Sequence, residues 1–139
     1  MGMKVFQKEF SISSSKRIEL IDVTSKVERI VKSSGIEDGL CTIFVPHATA
    51  AVLLNENENG LVSDMETHIK KIFPASNEYA HNRIDNNAGS HIASAFIGQS
   101  RTLPVKGDMV VRGTWQNIFV VELDGPRRSR RVVVTIIGV

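Results

Sequence analysis

Apolar and polar positions alternate near the start of the chain and a nearly continuous apolar run ends it, and both patterns predict β-strands. In residues 4–12 the even positions are largely apolar, but Lys8 interrupts that face, which favours an edge strand. A second strand is predicted over residues 17–23. The final run, 131–139, is rich in Val and Ile and predicts a central strand. Further apolar runs predict strands at residues 40–45, 48–54, 102–105, 109–112 and 118–123.

Helical periodicity appears in two longer segments and one short one. Thr24 is predicted to cap a helix that stops at Gly35, and a second helix is predicted from Asn59 or Gly60 to Pro74. Residues 91–97 predict two helical turns. Residues 74–90 have no period and are predicted to form a long loop of the kind that carries function. The pattern indicates one α+β domain over residues 1–139, with an antiparallel β-sandwich-like core and two to three flanking helices.

Composition narrows the class of protein. The chain has 139 residues, is 42% hydrophobic and carries a formal net charge of +2, which excludes disordered and low-complexity proteins. Cys41 is the single cysteine, so a disulfide framework and a cysteine-based zinc finger are excluded. Neither a membrane-spanning run nor a secretory signal is seen, so we expect a cytoplasmic protein. Because aromatic residues make up only 6%, no nucleic-acid partner is expected.

Three histidines outside the predicted helix faces are candidate metal ligands. His47 ends an apolar strand, and His81 and His91 bracket the Asn-rich loop. Imidazole is a common ligand of zinc, and catalytic zinc sites often have three protein ligands. The alternative is that each histidine hydrogen-bonds the backbone. Glu56, at a strand end, and Asp85, between His81 and His91, are candidates for holding a histidine or acting as a base.

Two blocks in the second half of the chain suggest ligand binding. The single tryptophan, Trp115, is followed by Gln116, and the tryptophan suits either core packing or stacking on a flat ligand. Glu122 and Arg127 flank an Asp-Gly-Pro turn, where a guanidinium can bind phosphate oxygens. The basic run around Arg127 is read either as an anion site or as a solvated strand edge.

These blocks resemble the YjbQ family. Residues 46–50 with 55–56 resemble its H-T-T-A…N-E block, and residues 91–98, 103–107, 113–116 and 122–127 resemble its second half. The resemblance is collinear over almost the whole chain. It implies a homotrimer or a dimer of trimers, with a divalent metal, zinc by preference or magnesium for a pyrophosphate reaction, in a cleft between subunits. By residue, it implies a metal or catalytic role for His47, His81 and His91.

The resemblance also implies a pocket and an activity. Glu56, Trp115, Gln116, Glu122 and Arg127 become pocket candidates, and Glu56, Asp85 and Glu122 are the candidate catalytic residues. Some relatives are linked to a secondary thiamine-phosphate synthase activity. Two departures are seen: Ala48 stands where many relatives have Thr, and Gly89 stands where relatives often have an acidic residue. If the acidic residue orients the neighbouring histidine in relatives, then here either Asp85 takes that role or the metal is bound more weakly.

Two functions follow from these residues. The first is a metal-assisted enzyme acting on a phosphorylated small molecule, in one version joining a pyrimidine pyrophosphate to a thiazole phosphate. The second is a non-catalytic, trimeric phosphate- or nucleotide-binding protein. Three histidines and a carboxylate exceed what phosphate recognition requires, which favours the enzyme.

Overall fold

Eight strands form two antiparallel sheets in a computed structural model that describes residues 2–76 and 78–139. The first sheet has five strands in the order β1-β8-β3-β5-β6, and the second has three in the order β2-β7-β4. Their bounds are β1 Lys4–Ile12, β2 Glu19–Asp22, β3 Asp38–Phe44, β4 Ala50–Asn55, β5 Ser100–Lys106, β6 Met109–Val110, β7 Asn117–Glu122 and β8 Arg130–Gly138.

Within the described residues, three α-helices complete the layers. They are α1 (Thr24–Ser33), α2 (Asn59–Ile72) and α3 (Ala88–Ile97), and a short 3₁₀ helix covers Ala80–Arg83. One core lies between the two sheets and takes in the apolar side of α1. A second core lies between the other face of the three-stranded sheet and helices α2 and α3. The three-stranded sheet is therefore the middle layer.

The apolar run in β7, residues 118–121, does not alternate with polar residues. Ile118 and Val120 enter the core between the sheets, while Phe119 and Val121 enter the core under the helices. Because both faces of β7 are buried, every residue from 118 to 121 has to be apolar. The run ends at Glu122, which is buried too.

The predicted α+β class with antiparallel sheets is confirmed, and several elements match in detail. Strand β1 spans the predicted residues and lies at a sheet edge, as Lys8 indicated, while β8 lies between β1 and β3. The prediction that Thr24 caps α1 is wrong: Val23 holds the cap position and Thr24 is the first helical residue. Its hydroxyl donates to Asp22 Oδ1 at 2.6 Å and accepts from the Ile118 amide at 2.8 Å.

The predicted loop over residues 74–90 contains more regular structure than expected. It includes the 3₁₀ helix, and α3 begins at Ala88 instead of at His91. His91 therefore lies on a helix, as residues 91–97 predicted, but three residues inside it and not at its start. Across the described part of the chain, no helix combines the length and the apolar character needed to cross a membrane.

Candidate functional site

Several predicted site residues meet where β7 ends and β8 begins. Glu122, the last residue of β7, lies opposite Ala50 at the start of β4. Arg130, the first residue of β8, lies opposite Ile12 at the end of β1. The loops that carry His47 and Arg127 leave from this end, which we call the Arg127 end.

A buried ion pair anchors the Arg127 end. Glu122 has no exposed side-chain surface and Arg130 is 4% exposed. The Glu122 carboxylate accepts bonds from Arg130 Nε at 3.0 Å, from the Ser14 hydroxyl at 2.7 Å and from the Asp124 amide at 3.0 Å, and Arg130 Nη2 donates to it as well. Arg130 Nη2 also donates to the Thr49 hydroxyl at 2.9 Å.

The ion pair has an electrostatic consequence for the acid. Burial raises the pKa of the Glu122 carboxyl, but the hydrogen bonds from Arg130, Ser14 and Asp124 outweigh it and leave the pKa below its usual value. In one chain the Glu122 carboxylate holds Arg130, Ser14 and the Asp124 backbone in place. Its predicted catalytic role stays a prediction.

Arg127 is held at the surface by its own turn. Its Nε donates to the Asp124 carbonyl at 3.0 Å and its Nη2 to Asp124 Oδ2 at 2.9 Å, while its backbone amide donates to the Ser14 hydroxyl at 2.9 Å. The side chain remains 46% exposed. Its orientation is thus fixed although part of the guanidinium faces solvent.

Two histidines lie next to this clamp. The rings of His81 and His91 make an edge-to-face contact with centroids 4.9 Å apart. His81 Nε2 is 3.0 Å from Asn87 Oδ1, and the side-chain Nδ2 of Asn87 donates to Asp124 Oδ2 at 3.0 Å. Asp124 therefore joins the histidine pair to Arg127 through a continuous chain of hydrogen bonds.

His47 has a different environment. Its Nε2 accepts the Arg131 backbone amide at 2.8 Å, so in the neutral ring the proton is on Nδ1. Burial lowers the pKa of His47, and the positive charges of Arg130 and Arg131 lower it further. The lone pair of Nε2 is therefore used by the backbone, which is the alternative that the sequence left open for this histidine.

The chain does not bring the three histidines together as a metal-ligand set. Within residues 2–76 and 78–139, no group of three or more His, Cys, Asp or Glu side chains has the proximity that a metal ion needs. The donors that do lie together are the imidazoles of His81 and His91.

The remaining pocket candidates lie at the opposite end of β7. Glu56 follows Asn55, which pairs with Asn117 at the start of β7, and the strand separates Asn117 from Glu122 by about 17 Å. Trp115 is 70% exposed in a turn closed by the bond from the Gln116 amide to the Gly113 carbonyl at 3.0 Å. In one chain these residues cannot share a pocket with Arg127.

The expected role of Asp85 is not seen. Its carboxylate accepts the Asn86 amide at 3.0 Å, while Asn87 contacts His81. The Gly89 departure has a packing reason: a Cβ there would lie 2.9 Å from the Pro74 carbonyl oxygen and 3.0 Å from that of Phe73. A glycine is therefore needed where α3 meets the end of α2.

Sequence reasoning missed the residues that connect the site. Asn87, Asp124, Ser14 and Thr49 were not singled out, although Asp124 lies inside the block that carries the resemblance. The Ser14 hydroxyl accepts a hydrogen bond from the backbone amide of Arg127, which is 113 residues away. Local sequence patterns carry no signal for a contact between such distant residues.

Comparison with known proteins gives a consistent result. Residues 8–139 match the family described as UPF0047 protein YjbQ-like. A UPF0047 protein of Methanothermobacter thermautotrophicus is 45% identical over 136 residues, covering 98% of this chain and 94% of its own. The UPF0047 protein YugU of Bacillus subtilis is 35% identical, covering 86% of this chain and 91% of its own.

Solved structures agree with the sequence comparison. A YbjQ-like protein of unknown function from Sulfolobus solfataricus P2 is 48% identical and superposes with a TM-score of 0.98, covering 99% of this chain and all of its own. A hypothetical protein from Aeropyrum pernix K1 is 38% identical with a TM-score of 0.93, covering 96% and 99% of the two chains. The chain belongs to the YjbQ-like UPF0047 family.

Proposed function

We propose that the chain is a metal-assisted cytoplasmic enzyme that binds and acts on a phosphorylated small molecule at the Arg127 end. The observation that carries the proposal is the hydrogen-bonded chain from Arg127 through Asp124 and Asn87 to the histidine pair. It sets a fixed cation beside two imidazoles, which are the groups that phosphate binding and proton transfer use.

Arg127 supports anion binding because it is fixed and still has donors to give. A guanidinium has five N–H groups, and Asp124 occupies two of them. Three remain for a ligand, on a side chain whose rotamers are already restricted. The entropy lost on binding is therefore smaller than for a free arginine.

The other arginines of the basic run have different surroundings. Arg130 is buried against Glu122, and Arg131 pairs with Glu9 at 2.9 Å. Arg128 is exposed and makes no hydrogen bond or ion pair within the described residues. Only Arg127 combines a fixed orientation with the histidine pair.

In this proposal His81 and His91 hold the divalent ion, with zinc favoured by their imidazole nitrogens and magnesium by nearby carboxylates such as Asp124. When bound, the ion supplies a Lewis acid for phosphate oxygens. A third ligand has to come from another copy of the chain or from a rearranged His47. Arg127 binds the phosphate. The proton is moved by His47 where the third ligand comes from another copy, and by Glu56 of another copy where His47 is that ligand.

The thiamine-phosphate version needs a second copy of the chain. Trp115, proposed to stack the pyrimidine, and Glu56 and Gln116 lie at the far end of β7 from Arg127. A homotrimer or a dimer of trimers would set this end of one subunit against the Arg127 end of the next, so that the cleft contains both groups.

An exposed apolar sheet face, which no other described element of the chain covers, supports such an assembly. The outer face of the five-stranded sheet carries Val5, Leu40, Phe44 and Ile137, which are 41–69% exposed. Neither core cluster reaches this face, and Arg131 lies at its edge, next to His47. An apolar patch of this kind is typical of an interface between subunits.

Light scattering tests the assembly. The expected mass is three or six times 15.3 kDa, and Ile137→Asp should lower it. Ile84→Asp is the matched control, because Ile84 is 86% exposed in a loop away from that face. A wild-type mass near that of one chain contradicts the assembly.

The alternative function is binding without catalysis. It is favoured by the Arg127–Asp124 clamp, which recognises an anion without any metal and which one chain forms completely. In this alternative the chain is a trimeric sensor for a phosphate or a nucleotide, and the Arg127–Asp124 clamp is sufficient for its binding.

Turnover separates the two functions. The purified protein is incubated with a pyrimidine pyrophosphate and a thiazole phosphate, with zinc, with magnesium and with a chelator, and products are measured by mass spectrometry. The proposal expects metal-dependent product that His91→Ala removes. His68→Ala is the matched control and should keep the product, because His68 is an exposed residue of α2. Saturable binding without product supports the sensor, and neither binding nor product contradicts both.

A further inference from the structure

A cavity away from the Arg127 end lies between strand β1 and helix α1. It has a volume of about 410 Å³ and is lined by Lys8, Glu9, Phe10, Lys26, Arg29, Ile30 and Ser33. We call it the β1–α1 groove. It shares no residue with the Arg127 end, and its size is in the range of small-molecule sites.

The lining of the groove is strongly cationic. Three positive side chains face one carboxylate, that of Glu9, which is already paired with Arg131 at 2.9 Å. Within the described residues, neither Lys8 nor Arg29 makes an ion pair or a side-chain hydrogen bond. Like charges that face one cavity repel each other unless an anion sits between them.

The lining also has an apolar part. Ile30 is 8% exposed, and Phe10 is half-buried against the same core. Lys26 Nζ lies 5.2 Å from the centroid of the Phe10 ring, which keeps that ammonium beside the apolar surface. The groove therefore offers cations and an apolar surface side by side.

Edge protection alone does not explain this arrangement. An inward-facing lysine such as Lys8 is a known way to keep an edge strand from pairing with another chain. That role requires nothing of α1, yet α1 contributes two further cations, Lys26 and Arg29, to the same cavity. A cavity that gathers three cations from two elements fits an anionic ligand better.

We propose that the β1–α1 groove binds a small phosphorylated organic molecule, with its phosphate between Lys8, Lys26 and Arg29 and its apolar part on Phe10 and Ile30. A phosphate monoester carries a charge of about −1.5 to −2 at pH 7. Because Glu9 is paired with Arg131, the three cations of the lining have no carboxylate partner within it, and a phosphate would neutralise most of their charge. The site is separate from the Arg127 end and does not depend on the function proposed there.

Phenyl phosphate is the probe, because it combines a phosphate monoester with an apolar ring. Titration of ¹⁵N-labelled protein should give saturable amide shifts in residues 8–10 and 26–33, with a dissociation constant of about 1 mM or lower. Inorganic phosphate should bind the same residues at least about fivefold more weakly, because it leaves Phe10 and Ile30 uncovered.

Substitutions identify the groove as the site. Arg29→Ala should weaken phenyl phosphate binding about tenfold or more, the loss expected when a bond to a charged group is removed. Lys32→Ala is the matched control, since Lys32 is an exposed cation on the same helix outside the groove. Arg127→Ala should leave these shifts unchanged, which separates this site from the one at the Arg127 end.

Three results would overturn the proposal. The first is the absence of saturable shifts in residues 8–10 and 26–33. The second is an equal loss of affinity in Lys32→Ala and Arg29→Ala, which would mean diffuse charge attraction. The third is equal affinity for inorganic phosphate and phenyl phosphate, which would mean that the apolar surface takes no part. The three substituted residues, Arg29, Lys32 and Arg127, are exposed, so we expect each variant to fold, and far-UV circular dichroism checks this.

Discussion

Replacing Glu122 by glutamine tests the buried ion pair of the Arg127 end. The substitution keeps the size of the side chain but removes its charge, and it turns one acceptor oxygen into a donating NH₂ group. Each carboxylate oxygen accepts from two residues: Ser14 and Arg130 at Oε1, and Asp124 and Arg130 at Oε2. In Glu122→Gln, the new NH₂ group would therefore face N–H or O–H donors in place of acceptors, whichever oxygen it replaces.

The expected cost is large because Arg130 stays behind. Its side chain is 4% exposed, so Glu122→Gln leaves a buried charge without its partner, at a cost of about 3–5 kcal/mol. This is a sizeable part of the 5–15 kcal/mol that usually stabilises a domain. For a chain of this length it lowers the unfolding midpoint by about 10–20 °C.

Urea unfolding followed by far-UV circular dichroism, at one fixed protein concentration, measures the cost. Glu9→Gln is the matched control, because the Glu9–Arg131 pair is about half exposed and its loss should leave the midpoint unchanged. Adding Arg130→Met to Glu122→Gln should recover part of the loss, since the unpaired charge is removed. A loss below about 1 kcal/mol for Glu122→Gln would refute the reasoning.

Two further predictions concern the same end of the sheets. The pKa of His47 is lower in the folded protein than its usual 6.5, so the unfolded chain binds a proton first and stability should fall as the pH drops from about 6.5 through the lowered folded pKa. Urea midpoints between pH 7.5 and 5 should show this slope in the wild type and a smaller one in His47→Ala; identical slopes would count against it. Gly125→Ala should destabilise by about 1–3 kcal/mol in the same assay, because the added Cβ would lie 2.1 Å from the Lys16 carbonyl oxygen, whereas Gly2→Ala meets nothing within 4 Å and should change nothing.

The sheets could be predicted from the sequence because strand periodicity is local. Lys8 on an otherwise apolar face marked β1 as an edge strand, and the run without alternation in β7 reflects burial on both faces. The start of α3 was missed because Gly89 and Ser90 have weak helix propensity. These residues are helical because they pack closely: a Cβ at Gly89 would meet the Pro74 carbonyl oxygen.

The candidate site could be predicted only in part, because its contacts join distant segments. His47 and Arg131 are 84 residues apart, and Ser14 and Arg127 are 113 apart. Motif reasoning gathered Trp115 and Arg127 into one pocket, but β7 runs between them and sets them at opposite ends of a sheet. The motifs do not show that a whole strand, β7, lies between the two blocks and separates them in space.

Calorimetry on two neighbouring arginines tests the central claim most directly. The wild type, Arg127→Ala and Arg128→Ala are titrated with a thiazole phosphate. Arg127 is fixed by Asp124 beside the histidine pair, and Arg128 is exposed without such a contact. The account predicts that Arg127→Ala weakens binding by about 1.5–3 kcal/mol, and that Arg128→Ala changes it far less. Equal losses, or no loss in Arg127→Ala, would contradict the account.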